Sequence, residues 1–185
     1  MGAWIFRNRL GMVLCCNYSF SIITSMIKGS LVLAMLILLL ISGCQVGETP
    51  QTIPEFSMRL ADSTKVFYSN DIPMGKTIVL IQFDPACRDC QIETEEILAN
   101  ISSFKNTNFY LITRHPYDEM MVFHDHLKLN TYSNIKIGID TASVIPKQFK
   151  IRSTPLTLIF DENKILRAIF SGKADLKDLT KSING

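Results

Sequence analysis

Residues 77–83, Thr-Ile-Val-Leu-Ile-Gln-Phe, carry no charge and read as a strand buried on both faces. The period then changes. Ile97, Ile101 and Phe104 fall at i, i+4 and i+7, which predicts a helix over 91–104. Asn-Phe-Tyr-Leu-Ile-Thr at 108–113 is a second apolar strand, and Pro116 suits the first position of a helix running through Met120, Met121 and Leu127. Ile135-Lys136-Ile137-Gly138-Ile139 alternates like a half-buried strand. Residues 142–149 predict a short helix interrupted by Pro146. Two apolar runs, 156–160 and 165–170, flank Asp161-Glu162-Asn163-Lys164 as a hairpin, and Leu176, Leu179 and Ile183 stripe a closing helix. Upstream, 56–68 alternates poorly and supplies one or two short edge strands. No repeat or low-complexity segment appears. Strands alternating with helices, then a hairpin and a last helix, predict an α/β sandwich with a central mixed sheet.

The early apolar excess has another origin. Lys28 precedes an unbroken apolar run over 31–41, and Ile41-Ser42-Gly43-Cys44 follows at once. A cation, a short apolar core and small residues compose a secretory signal. At 11 residues the run is shorter than the ~20 a spanning helix needs. The competing reading is a short anchor helix extended by the apolar residues of 22–26. Ile-Ser-Gly-Cys resembles the lipobox of bacterial lipoproteins, which implies cleavage before Cys44 and its acylation. Met26-Ile27-Lys28-Gly29-Ser30 would be a complete signal start by itself, so Met26 rivals Met1 as the true start. The expected organisation is a leader and signal over 1–43, a polar tether with two prolines over 44–54, and one domain over 55–185.

Charge and cysteine use change with that division. Residues 44–185 keep 16 of the 19 Lys+Arg, losing Arg7, Arg9 and Lys28, against all 17 acids, so net charge is near −1. No basic patch argues for nucleic acid. Cys15 and Cys16 fall upstream of the cleavage point and Cys44 is the lipidation candidate, which leaves Cys87 and Cys90. In an oxidising compartment such a pair is a disulfide unless something reduces it.

Cys87-Arg88-Asp89-Cys90 places two sulfurs at i and i+3 where the predicted strand gives way to a helix. Such a pair can close a small disulfide ring, and a helix amino end favours a thiolate on the first sulfur. Arg88 adds to that effect, while Asp89, Glu93, Glu95 and Glu96 oppose it if they lie close. Cys87 is the candidate nucleophile and Cys90 the resolving thiol. A purely static disulfide over so short a loop contributes little. Zinc needs two more ligands, and the one histidine pair, His124 and His126, sits at i and i+2 on a helix, a spacing that points apart and reads as a solvated face.

These residues resemble the thioredoxin-like superfamily, and most of all its redoxin-type bacterial envelope lipoproteins. The pattern Phe-x-Pro-x-Cys-x-x-Cys before an acidic helix is met by Phe83, Pro85, Cys87, Cys90 and Glu93, and Arg152-Ser153-Thr154-Pro155 through Ser171-Gly172 matches the second landmark. The resemblance spans roughly 56–183. It implies a cis Pro155 lying against the disulfide, with Thr154 backbone groups offered to a substrate strand. Two departures stand out: Ala86 where strong reductases often carry Trp, and Ile81 where many thioredoxins bury an acid. A peroxidase would need Pro-x-x-x-Thr-x-x-Cys, and Pro85 is only two residues before Cys87. The expectation is a thiol-disulfide oxidoreductase, more a reductase or isomerase than an oxidase. It would be lipid-anchored in the bacterial cell envelope facing the periplasm. Its substrates would be protein disulfides or dithiols with an unidentified electron donor, and its only redox group the Cys87–Cys90 pair, with no separate cofactor and no metal. The alternative is a redoxin-like binding module without turnover, for an envelope partner or a metal.

Overall fold

The computed structural model describes residues 51–62, 65–150 and 153–185. The expected leader, Cys44, most of the tether and Arg152 lie outside the described residues. Among the described residues no helix is long and apolar enough to cross a membrane.

In chain order the elements are β1 (Ser57–Leu60), β2 (Val66–Tyr68), β3 (Thr77–Gln82), α1 (Arg88–Ala99), β4 (Thr107–Thr113), α2 (Tyr117–His126), β5 (Ile135–Ile139), α3 (Val144–Phe149), β6 (Leu156–Phe160), β7 (Leu166–Ser171) and α4 (Leu176–Asn184). The strands make one mixed sheet in the order β2-β1-β5-β4-β3-β6-β7. β3, β4 and β5 are parallel, and antiparallel pairs extend the sheet on both sides. The predicted α/β architecture is the one observed.

Alternation along β3 sends side chains to two cores. Val79, Ile81 and Phe83 face α1, α2 and α4, meeting Ile97, Met120, Phe123 and Leu179. Ile78 and Leu80 face the other way, toward Phe56, Met58 and Ile145 of α3. A strand covered on both sides has no solvent face, which is why 77–83 lacks charge. Phe83 packs on Phe123 with ring centroids 4.5 Å apart and planes tilted by 33°, fixing the end of β3 against α2.

Four local expectations are revised. The helix predicted over 91–104 begins earlier, at Arg88, and breaks at Asn100 (φ −114°, ψ 17°); Ile101–Phe104 is a separate 3-10 turn that keeps Phe104 in the core. Pro146 does not interrupt α3. It lies in the first turn, where no intrahelical acceptor awaits its missing N–H. Of the two strands within 56–68, only β2 is an edge, because β1 also pairs with β5. That pairing needs Gly138, where a Cβ would stand 2.7 Å from the Arg59 carbonyl oxygen. The end of the expected tether is fastened too, since Thr52 bridges Ile165 and the Leu166 N–H donates to the Gln51 carbonyl.

Candidate dithiol site

Beyond Gln82 the chain stays on the sheet for one more bond, Phe83 N–H to the Ile112 carbonyl, and then turns. Asp84 makes the turn. Its Oδ1 accepts from Ala86 N–H at 2.8 Å and its carbonyl accepts from Cys87 N–H at 3.0 Å. Gln91 Nε2 donates back to the Pro85 carbonyl at 3.1 Å, clamping the loop to α1. Cys87 is therefore the N-cap of α1, with extended backbone and half-buried, and Cys90 is one turn in and 1% exposed. Both are free thiols. Burial pushes the Cys90 thiol up to about 12, against a weaker downward pull from the Asp84 backbone N–H. Burial thus favours the protonated form of the Cys90 thiol.

Thr154-Pro155 is a cis peptide bond, and Cys87 Sγ lies 3.7 Å from the Thr154 carbonyl oxygen, within reach of an S–H···O bond. The loop is held by Gly172 N–H donating to the Pro155 carbonyl at 2.9 Å and by the Ser153–Ser171 hydroxyl pair at 2.6 Å. Residues 67 positions apart in sequence thus meet over one sulfur.

Glu93, three residues beyond Cys90 on the same helix, is 0% exposed. Its Oε1 accepts from the Thr157 hydroxyl at 2.5 Å and its Oε2 from Ala174 N–H at 2.7 Å. Burial raises its carboxyl above the usual range, and these two bonds with Lys173 partly offset the shift. Of the other acids near the motif, Asp89 and Glu95 are exposed and Glu96 pairs with Lys173 at 2.9 Å.

No protein-family model and no curated protein sequence matches the chain. Solved structures do. A putative thiol:disulfide interchange protein DsbE from Chlorobium tepidum superposes with a TM-score of 0.62 at 14% identity, over 74% of this chain and 96% of that one. DsbF of MTB, in mixed oxidised and reduced forms, gives 0.61 at 20% identity, over 72% and 98%. A thioredoxin-like protein from Aeropyrum pernix gives 0.58 at 14% identity, over 70% and 88%. The chain has the thioredoxin-like fold.

Within the thioredoxin-like frame, Cys87, Cys90, Thr154 and Pro155 come together at the carboxyl ends of β3 and β4, where open α/β sheets gather their functional groups. Two features near the sulfurs were not legible in the sequence. The burial of Glu93 is one: it reaches from the helix and accepts from Thr157, the antiparallel partner of Ile81. His115 follows β4, with Nε2 3.3 Å from Asp84 Oδ2 and Nδ1 2.9 Å from Glu119 Oε2, and braces the Cys-bearing turn. A histidine at a strand's carboxyl end was the one available signal. Among the described residues no three His, Cys, Asp or Glu side chains gather as a metal site. His124 departs from the solvated face expected of it, its side chain being only 13% exposed and 2.7 Å from Asp125.

Proposed function

We propose that the chain is a thiol-disulfide oxidoreductase acting on protein disulfides through Cys87 and Cys90. The observation that carries the reading is a half-buried thiol at the helix mouth, facing the Thr154 carbonyl, with a second, buried thiol beneath it. Cys87, as thiolate, attacks one sulfur of a substrate disulfide. That S–S bond breaks, one substrate sulfur leaves and takes a proton, and a Cys87–substrate disulfide forms. Cys90 then gives its proton to the Glu93 carboxylate and attacks Cys87. The second substrate sulfur leaves, and the Cys87–Cys90 disulfide closes. Two electrons have moved from the dithiol to the substrate, and a separate dithiol donor restores the pair. The buried partners of Glu93 support its role, because they hold a carboxyl one turn from Cys90 with its affinity for protons raised.

Direction favours reduction or isomerisation, from the resemblance to tethered envelope reductases. Related pairs span about −270 to −120 mV, roughly 7 kcal/mol, a range that a few charges near the sulfurs can cross. The rival reading, a binding module without turnover, rests on the Ala86 and Ile81 departures, and the role proposed for Glu93 would answer the second. Insulin reduction by wild type and by Cys87→Ala separates the two. A Cys87-dependent rate is expected, and equal background rates would favour the module.

The anchor belongs to the same proposal. Cleavage before Cys44 and its acylation would tether the domain to a membrane outside the cytoplasm, each buried CH₂ contributing about 0.8 kcal/mol. Mass measurement of the native protein should find an acyl adduct on Cys44, and a mature chain retaining Arg7 and Arg9 would contradict it.

A further inference from the structure

On the sheet face opposite α1, a cleft of about 610 Å³ opens between α3 and the ends of β3 and β4. Seven residues line it, among them Gln82, Thr154 and three cations, Arg114, Lys147 and Lys150. All three cations are exposed, and none is paired with an acid among the described residues. Lys147 is held in place by its Nζ donating to the Ala142 carbonyl at 2.6 Å, which leaves further N–H groups to offer. Asp140 borders the same region, yet its carboxylate is taken up by the N–H groups of Ala142, Ser143 and Val144. At the floor, Gln82 is 8% exposed, and its Oε1 is enclosed with no hydrogen-bond donor.

We propose that this cleft docks an acidic segment of the substrate protein, next to the disulfide being exchanged. The inference rests on the oxidoreductase reading and adds the class of substrate. Thr154 connects the two places, since it lines the cleft while its carbonyl faces Cys87 Sγ at 3.7 Å. An extended strand crossing Thr154 brings one residue to the sulfur and its neighbours into the cleft. Carboxylates there meet Arg114, Lys147 and Lys150. Residues 44–185 carry a net charge near −1, so these cations form a local patch in an otherwise balanced surface. Long polyanions need an extended basic stripe, whereas a single cleft of this volume suits a few side chains.

The test uses the full chain with Cys87→Ser and Cys90→Ser together, so that binding is read without exchange. Fluorescence anisotropy compares a labelled peptide rich in Asp and Glu with the same peptide carrying Asn and Gln, and with one carrying Lys. The acidic peptide should bind at least ten-fold more tightly than the neutral one in low salt. R114Q, K147Q and K150Q combined should bring the two within two-fold, with folding checked by circular dichroism. Equal affinity for acidic and neutral peptides, or indifference to the triple substitution, overturns the proposal. So does an oligonucleotide or a phosphatidylglycerol vesicle that displaces the acidic peptide at lower charge concentration. Reduction of neutral 2-hydroxyethyl disulfide by the wild-type chain is measured alongside. Absent turnover with intact, cleft-dependent peptide binding upholds the docking site and overturns only the oxidoreductase reading.

Discussion

On one face of the sheet, past the end of β3, Cys90 and Glu93 are 1% and 0% exposed, and each carboxylate oxygen of Glu93 has a protein donor. On the other face, around Gln82, three cations stand in water with no partner acid among the described residues. Burial decides the difference. In dry surroundings ionisation is costly, so proton affinities move: Cys90 rises to about 12 and Glu93 rises with it. Cations at the surface remain hydrated and open to an approaching partner, which suits recognition and steering. Thr154 touches both, lining the cleft while its carbonyl faces Cys87 Sγ, so the proposed proton-transfer site and the proposed docking site adjoin.

The largest effects should come from the dry face. Cys87→Ser should reduce insulin turnover to background, while Cys90→Ser should still attack and stall as a covalent adduct visible by mass. If both variants turned over normally, the buried pair would have no catalytic role. Glu93→Gln should slow resolution of the mixed disulfide by about 10²-fold, within the usual contribution of a general base. In wild type that step should accelerate with pH as Glu93 ionises, above the usual carboxylate range because burial raises its carboxyl, and the variant should lose this limb. A pH profile unchanged by the substitution would remove Glu93 from the reaction.

The same shift has a stability consequence. A carboxyl raised in the folded state leaves stability fully present below the unfolded value of about 4.3 and erodes it as pH climbs through the folded value. Urea unfolding of wild type should therefore lose stability over that interval, and Glu93→Gln should flatten the slope. Smaller still, Thr157→Val removes the donor to Glu93 Oε1 and should cost about 1–3 kcal/mol in urea unfolding, with the rate profile moved to higher pH. At the bottom of the scale, Lys173→Met breaks the partly exposed pair with Glu96 and should cost less than about 1 kcal/mol. A Lys173 effect larger than that of Thr157 would invert the contrast between buried and solvated charge.

Local patterning carried most of the sheet, because each buried strand is a short apolar run that needs no distant information to be read. The breaks were less legible. Ile101 and Phe104 continue the period of α1 in sequence, yet the backbone leaves the helix at Asn100 to bring Phe104 into the core. The sulfurs and Thr154-Pro155 could be read from their motifs. Glu93 could not, since Glu-Thr-Glu-Glu looks like a solvated helix face. Its burial depends on Thr157 and Ala174, 64 and 81 residues away. Gln82 was hidden for the same reason: within an apolar run it reads as one tolerated polar residue, and only the packed ends of β3, β4 and α3 show what it borders.

The most direct test of the central claim is a redox titration of the purified chain in glutathione buffers, quenched in acid, alkylated and weighed. Cys87 and Cys90 should lose reactivity together, as one two-electron step with a midpoint between about −270 and −120 mV. Two thiols that stay alkylatable in every buffer, or that oxidise independently, would contradict it.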